Sequence, residues 1–559
     1  MIIISPEIFL PAAMELKAFH ENEGLSVHLV TPNEIYNEFS SGMRDATAIK
    51  QFLRMFYVRG MGVPSMVPKY CLLFGDGTYD NRNRMGHGNN FLPVFQSYES
   101  LSVTSTYATD DYYAILSDGA SMGNTDLLNI AVGRLPVSTL DQANEMVQKI
   151  KNYTVLSGED SQMAFCSNGE TSSVLKDWRN MVTMVSDDED GNAYFTDIEI
   201  MASKVELSNP EMNIKKIHSD AYSQQSTPVG ERNEGASEAI RQQVDKGSLL
   251  VNYIGHGGET GWAHEQILTL PTINGWTNFQ RMPVFMTATC EFSRFDDHDR
   301  TSAGEYVLLN PDGGGVSLFT TTRLVYASPN EWLNRYFYDT VFDKVNGLPQ
   351  TLGEIYMGTK NKFALNSADA NYRKFALLGD PAIRLASPQM NIVADSVNGV
   401  LLSSFTDTIK ALSVVRISGH VEDLQGQKLS DFNGFVYSKI FDKESSLSTL
   451  GFNSSSSAAS FSMWKNLVYK GKSSVLNGDF SFEFVVPQDI SFDYGSSRFS
   501  FYAEDGSIDA NGFNEQVLIG GINENAQLDD QGPVIDLYMN DENFVSGGIT
   551  DSNPTLLAK

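Results

Sequence analysis

The chain has 559 residues, 69 acidic and 40 basic, for a formal net charge of -29. That length exceeds one hydrophobic core, and about two to four domains are expected. So acidic a surface repels phosphate backbones and excludes nucleic-acid binding as a role.

Hydrophobic residues make up 41% of the chain, the ordinary content of a globular protein. Met1-Ile2-Ile3-Ile4, followed at once by Ser5-Pro6-Glu7, lacks the basic segment of a secretory leader. It reads as the first strand of a domain already under way, and a piece of a longer precursor is expected. No apolar run approaches the roughly 20 residues that span a bilayer.

From residue 1 to 387 apolar strand-length runs alternate with helical spacing. Ile2 to Ser5, Leu25 to Thr31, Cys71 to Gly75 and Asn129 to Val132 read as strands. Pro11 to Glu23, Asp45 to Tyr57 and Leu140 to Tyr153 read as helices. A second set of strands is expected at Met163 to Ser167, Asn213 to His218, Ser248 to Ile254, Pro283 to Ala288 and Gly315 to Thr320. Its helices are expected at Asn233 to Lys246, Ser302 to Leu309, Glu331 to Phe342 and Thr351 to Phe363. Near-continuous apolar strands with crossover helices imply a parallel or mixed sheet covered on both faces. The reading is two α/β subdomains, 1–157 and 158–387, divided near Ser157-Gly158, with a closing strand-turn-strand from Phe375 to Leu385.

Pro388 marks a boundary. Beyond it Val414 to Val421, Gly434 to Ile440, Phe480 to Val486 and Arg498 to Ala503 alternate with period 2 and no helix intervenes. That pattern predicts an immunoglobulin-like β-sandwich over 388–530. The Ser-rich stretch Ser445 to Ser462 is expected to be a loose loop. Residues 531–559, with a strand from Pro533 to Tyr538, read as the truncated start of a further β-module.

The chemistry is expected at two strand ends. Leu249 to Ile254 runs into Gly255-His256-Gly257-Gly258, and Pro283 to Ala288 runs into Thr289-Cys290-Glu291-Phe292. Open α/β sheets bind ligands beyond the carboxyl ends of their strands. A thiol there needs a base, because its ordinary pKa leaves it mostly protonated at neutral pH. His256 is the natural partner for Cys290, and the Gly257 and Cys290 N–H groups suit a developing oxyanion. In the plain structural alternative Gly255 and Gly257 only make a tight turn. Of the other cysteines, Cys71 and Cys166 follow or open apolar runs and read as small buried hydrophobes.

Asn252 to Trp262 resembles the catalytic-histidine motif of the gingipain family of cysteine peptidases, and Thr287 to Asp296 resembles its nucleophile motif. The second is most similar to the version found in the sortases of the type IX secretion systems of Bacteroidota. The tracts Leu377 to Pro381, Thr320 to Val325 and Ile35 to Gly42 resemble those sortases too. The resemblance covers residues 1–387 and implies a caspase-like α/β fold. It implies that Cys290 attacks a cargo peptide bond, that His256 moves the proton, and that Gly257 and Cys290 hold the oxyanion. The thioester would pass to water or to an amine of an anionic lipopolysaccharide. Implied partners are cargo proteins with C-terminal signal domains and an outer-membrane β-barrel that docks the enzyme at the cell surface. No cofactor is required, and structural calcium is a possibility of the family. A secreted protease acting by hydrolysis and a non-catalytic adhesin or scaffold are the alternatives.

Several polar segments have plainer readings. Asp177 falls where arginine-specific members carry an acidic specificity residue, yet a helix-surface aspartate is the expectation. Gly75-Asp76-Gly77 and Thr109 to Tyr113 suit calcium by composition, but Asx turns are favoured. Asp187-Asp188-Glu189-Asp190-Gly191 reads as a solvated loop with weak cation affinity. Asp296 to Asp299 reads as a mixed polar loop. His264-Glu265 lacks the second histidine of a zinc motif, since Leu268 stands in its place.

Overall fold

The computed structural model describes all residues except 64–65, 155–162, 166–170, 174–175, 229, 527–534, 546 and 551–553. Ten strands form one sheet: β1 (Ile2–Ile4), β2 (His28–Val30), β3 (Tyr70–Phe74), β4 (Ala131–Leu135), β5 (Met181–Ser186), β6 (Asn213–His218), β7 (Leu250–Ile254), β8 (Val284–Ala288), β9 (Ser317–Thr321) and β10 (Phe375–Leu378). Their order is β6-β5-β7-β8-β9-β10-β4-β3-β1-β2. Pairing is parallel throughout except between β9 and β10. The sheet is therefore two parallel blocks of opposite sense, joined where β10 runs antiparallel to β9, with Leu378 opposite Leu318 and Phe375 opposite Thr321. The division expected near Ser157-Gly158 lies outside the described residues.

The strands are apolar because both faces are covered. β1, β3, β4, β7, β8 and β9 are buried at every position. Helices such as Leu10–Asn22, Ala46–Gly60, Leu140–Thr154, Ala193–Ser208 and Leu352–Asn366 supply the covering layers. Local sequence sets their starts. Thr351 caps the last of these: its hydroxyl accepts from Glu354 N at 3.2 Å and the Glu354 carboxylate accepts from Thr351 N at 3.0 Å.

Three expectations in this region need correction. Met163–Phe165 is a strand, but it pairs antiparallel with Thr171–Ser173 outside the main sheet. The place beside β7 belongs to Met181–Ser186, an equally apolar run that propensity cannot rank; register with β7 decides it. The helix expected from Glu331 to Phe342 runs over Ala327–Tyr338, with Pro329 tolerated in its first turn. After β10, Arg384 makes only an isolated bridge to Thr351, and Ala382, Ile383 and Leu385 are apolar because they are buried.

Beyond residue 388 the described residues are all-β apart from one short 3-10 turn. Eight strands form one sheet that curls back on itself, since Met390–Val397 pairs both with Val414–Glu422 and with Asp509–Asn514. A three-stranded sheet holds Thr408–Ala411, Leu518–Ile522 and Gly495–Ser496. Phe480, Phe482, Phe484, Phe499 and Phe501 fill the core. The Ser-rich stretch is not loose. Ser445–Ser448 and Ser460–Met463 form a hairpin. Near the end, Leu537–Met539 pairs with Leu556–Ala558.

Candidate active site

Three strand ends finish level. Ile254 of β7 is the register partner of Ser186 of β5 on one side and of Ala288 of β8 on the other. Two residues further along stand His256 and Cys290, on adjacent strands. The juxtaposition follows from parallel pairing, in which neighbouring strands lie about 4.8 Å apart. Gly255 is required by close approach: a Cβ there would lie 2.3 Å from Asp187 Cβ and 2.6 Å from the Tyr253 hydroxyl. That closeness lets Asp187 accept the His256 backbone N–H at 2.7 Å. Gly257 is equally tight, since a Cβ would lie 2.5 Å from Thr289 Oγ1 and 2.8 Å from the Gly261 carbonyl oxygen. Gly257 thus lies against the residue that precedes Cys290.

The His256 ring is held on several sides. Its Nε2 is 3.2 Å from Glu189 Oε2, 3.2 Å from Asp190 Oδ2 and 3.4 Å from the Tyr194 hydroxyl. His264 stacks on it with centroids 5.4 Å apart, and His264 Nδ1 is 2.9 Å from Glu189 Oε1. The Tyr253 hydroxyl donates to the His256 carbonyl at 2.5 Å. Tyr253 is fixed in turn by stacking on buried Trp262, centroids 4.3 Å apart. These acids were not anticipated as site residues. The signal was present in the run Asp187 to Asp190, but it became readable only with β5 placed beside β7.

Asp190, Gly191 and Asn192 have φ of 56°, 64° and 66°, three successive left-handed residues. Such a conformation costs a non-glycine residue about 1–2 kcal/mol. It turns the chain sharply between β5 and the helix Ala193–Ser208 and presents Asp190 to the imidazole.

Cys290 is half-buried at the end of β8. Its thiol donates to the Val325 carbonyl oxygen at 3.7 Å, not to the imidazole. Burial pushes the thiol up from its ordinary value of 9.0, Glu291 adds to this, and the Lys374 ammonium opposes it. Glu291 is left-handed with φ of 51°, and its N–H donates to Arg323 O at 3.3 Å. This kink turns the chain away from the strand directly after Cys290. The loop is locked by Arg323, whose guanidinium grips buried Asp296 at 2.6 and 2.5 Å. The expected polar loop at Asp296 to Asp299 is therefore a buried ion pair at its first residue.

The other acidic segments divide sharply. Asp110 is paired with Arg134 at 2.8 and 2.7 Å, and Asp111 with Lys360 and Arg373, so the loop after Thr109 has no carboxylate to spare. Asp76 accepts from Gly77 N and Ser138 Oγ. Asp177 pairs with Lys439, away from the strand ends. The segment Asp187 to Gly191 is not a solvated loop: Asp187 and Asp188 are buried. With buried Glu265 they form a group whose oxygens lie within 4.8 Å of one another. Asp188 Oδ1 and Glu265 Oε2 have no hydrogen-bond partner. Burial raises all three carboxyls, Glu265 to about 7. Cys71 is fully buried in β3, and Cys166 lies outside the described residues.

Residues 1–386 match the sequence profile of Peptidase family C25. No curated protein is similar enough to be matched. Among solved structures, dimeric latent PorU from Porphyromonas gingivalis is 24% identical, with a TM-score of 0.43 and coverage of 100% of this chain. This chain spans 47% of that protein's length. The complex of Porphyromonas gingivalis RgpB pro- and mature domains is 14% identical with a TM-score of 0.51, covering 92% of this chain and 99% of that one. The Arg specific cysteine proteinase gingipain R (RgpB) is 14% identical with a TM-score of 0.52, covering 93% and 97%. These two share the caspase-like α/β arrangement. The chain belongs to peptidase family C25, the gingipain family of cysteine peptidases.

Proposed function

We propose that the chain is a cysteine endopeptidase with Cys290 as nucleophile and His256 as its proton-transfer partner, working as a sortase of a type IX secretion system. One observation carries the dyad: Ile254 and Ala288 are in register, so His256 and Cys290 leave adjacent strands together. In this reading Cys290 Sγ attacks the scissile carbonyl carbon and the imidazole takes the thiol proton. The Gly257 and Cys290 N–H groups face the oxyanion. Collapse breaks the C–N bond, and the imidazolium protonates the leaving amine. The acyl group remains as a thioester until water or an amine takes it.

The nucleophile motif around Cys290 favours the sortase over a purely hydrolytic protease, with cargo bearing C-terminal signal domains as substrate. A lipopolysaccharide amine would be the acceptor and an outer-membrane β-barrel the docking partner at the cell surface. Among the described residues no helix is long and apolar enough to cross a membrane. The test is a peptidyl electrophile on wild type and Cys290→Ala. Wild type is expected to be labelled at Cys290 and the variant not; equal labelling would return the scaffold alternative. Cargo released by wild-type cells is expected to carry the acceptor mass. Cargo ending in a free carboxyl would assign hydrolysis alone.

We also assign any structural calcium to Asp187, Asp188 and Glu265. Two orphaned oxygens in a buried three-carboxylate group suit a hard cation with oxygen ligands. Calcium there would neutralise charge behind His256 and take no part in bond making. Adding calcium to chelator-treated protein is expected to raise Tm, and Asp188→Asn is expected to abolish that rise. A calcium response that survives in Asp188→Asn places the ion elsewhere.

A further inference from the structure

The β-rich region reaches back over the candidate active site through residues 449–459, the connection inside the Ser-rich hairpin. Its first half is held by Asp220, which follows β6. Gly451 N donates to Asp220 Oδ2 at 2.7 Å, Phe452 N to Oδ1 at 2.9 Å, and Leu450 N to the Asp220 carbonyl oxygen at 2.8 Å. Beneath it, Phe461 packs edge-on against buried His218 at 4.6 Å. Its second half lies on the left-handed turn. Ser456 Oγ donates to the Asp188 carbonyl oxygen at 2.5 Å. Asn192 makes a reciprocal pair with the Ser457 backbone: Ser457 N donates to Asn192 Oδ1 at 2.8 Å, and Asn192 Nδ2 donates to Ser457 O at 2.7 Å.

These contacts bracket Glu189 and Asp190, the two acids on His256 Nε2. Residues 188 and 192 are tied to the β-rich region, and residues 189 and 190 between them touch the imidazole. The left-handed run is a single short 3-10 turn, closed by one backbone bond from Ala193 N to the Asp190 carbonyl oxygen, with the Tyr194 hydroxyl donating to Asp190 Oδ2 at 2.7 Å. So short a turn depends for its shape on what is clamped to either end.

We infer that residues 449–459 are a strap by which the β-rich region positions Glu189 and Asp190 on His256, with Asn192 and Ser456 as the positioning residues. This rests on the peptidase reading for its catalytic consequence. Its structural part stands alone. The design is a folded active site completed by a second region: the catalytic strands supply nucleophile and base, and the β-rich region fixes the acids that orient the base. A positioning residue of this kind alters the reaction step more than substrate affinity.

The test uses the full chain. Asn192→Gly removes both clamp bonds while keeping a residue that favours the left-handed conformation, and Ser456→Ala removes the third. Ser457→Ala is the control, because Ser457 uses its backbone alone. Hydrogen exchange of amides 188–192 is expected to quicken on the order of tenfold in Asn192→Gly and Ser456→Ala, and to stay at the parent rate in Ser457→Ala. With a peptidyl electrophile, the maximal inactivation rate is expected to fall on the order of tenfold with KI within about twofold of the parent. Unchanged exchange overturns the strap whatever the kinetics. Faster exchange with an unaltered inactivation rate overturns its link to His256. A parent chain that no electrophile labels overturns the peptidase reading instead, and exchange still decides the strap.

Discussion

Cys290 carries a conflict that decides how it works. A nucleophile needs the thiolate, yet burial at the end of β8 and the neighbouring Glu291 carboxylate raise the thiol above 9.0. Val325 accepts its hydrogen bond while His256 faces Glu189 and Asp190. The resting site therefore holds a protonated thiol, and in the proposed reaction deprotonation belongs to the attack step. The sign follows: a raised thiol stays protonated to a higher pH, so its reaction with iodoacetamide climbs about tenfold per pH unit through the neutral range and does not level off before pH 9. The measurement is alkylation rate against pH in a Cys166→Ser background, with Cys71 silenced by complete burial. A plateau below about pH 8 would establish a preformed thiolate and remove this account.

At the scale of elements, the two strands that lead to His256 and Cys290 were legible because each is an apolar run that ends near a reactive side chain. Parallel pairing then does the rest. β5 was not legible, because Met181–Ser186 and Met163–Phe165 have the same texture and only one is in register with β7. The acids on His256 were lost with it. Nor does a sequence pattern reveal that Asp187 and Asp188 are buried, since a run of carboxylates is ordinarily solvated. The loops after β7 and β8 are joined by a contact of the same hidden kind. Glu259 holds Arg294 at 2.6 Å through one oxygen and Arg300 at 2.8 Å through the other, and its carbonyl accepts Ala303 N at 2.7 Å. Glu259 is mostly buried, so Glu259→Gln is expected to cost about 1–3 kcal/mol of stability. It is also expected to lower kcat more than it changes KM. A double-mutant cycle with Arg294→Ala measures the link, and a coupling near zero would show that the loops hold their positions independently.

For the molecule as a whole, the main question is whether the α/β and β-rich regions are one cooperative body. β6 is an edge strand of the main sheet, and an open edge invites unwanted pairing. The β-rich region closes off this side with polar bonds. Buried Arg498 donates to Pro210 O at 2.6 Å and to Met212 O at 2.8 Å, and Asn213 Nδ2 donates to Ser500 Oγ at 2.8 Å. Arg498 also pairs with Glu515. These groups are satisfied only while both regions are folded. Pulling the regions apart would leave the Pro210 and Met212 carbonyls and Asn213 without their partners on the α/β side and Arg498 and Ser500 without theirs on the other, at about 1–3 kcal/mol for each neutral group. One calorimetric transition is therefore expected for the full chain, with equal calorimetric and van't Hoff enthalpies. Arg498→Met removes the central donor and leaves the Pro210 and Met212 carbonyls without their partner beside a partly exposed Glu515, an effect of about 1–3 kcal/mol. It is expected to lower the transition and split it into two, because each region keeps its own apolar core while the bridge is lost. Two transitions in the parent would show that the regions melt independently. The strap would then hold the active site only while the β-rich region stays folded, and the less stable region would set the temperature at which the His256 acids are released.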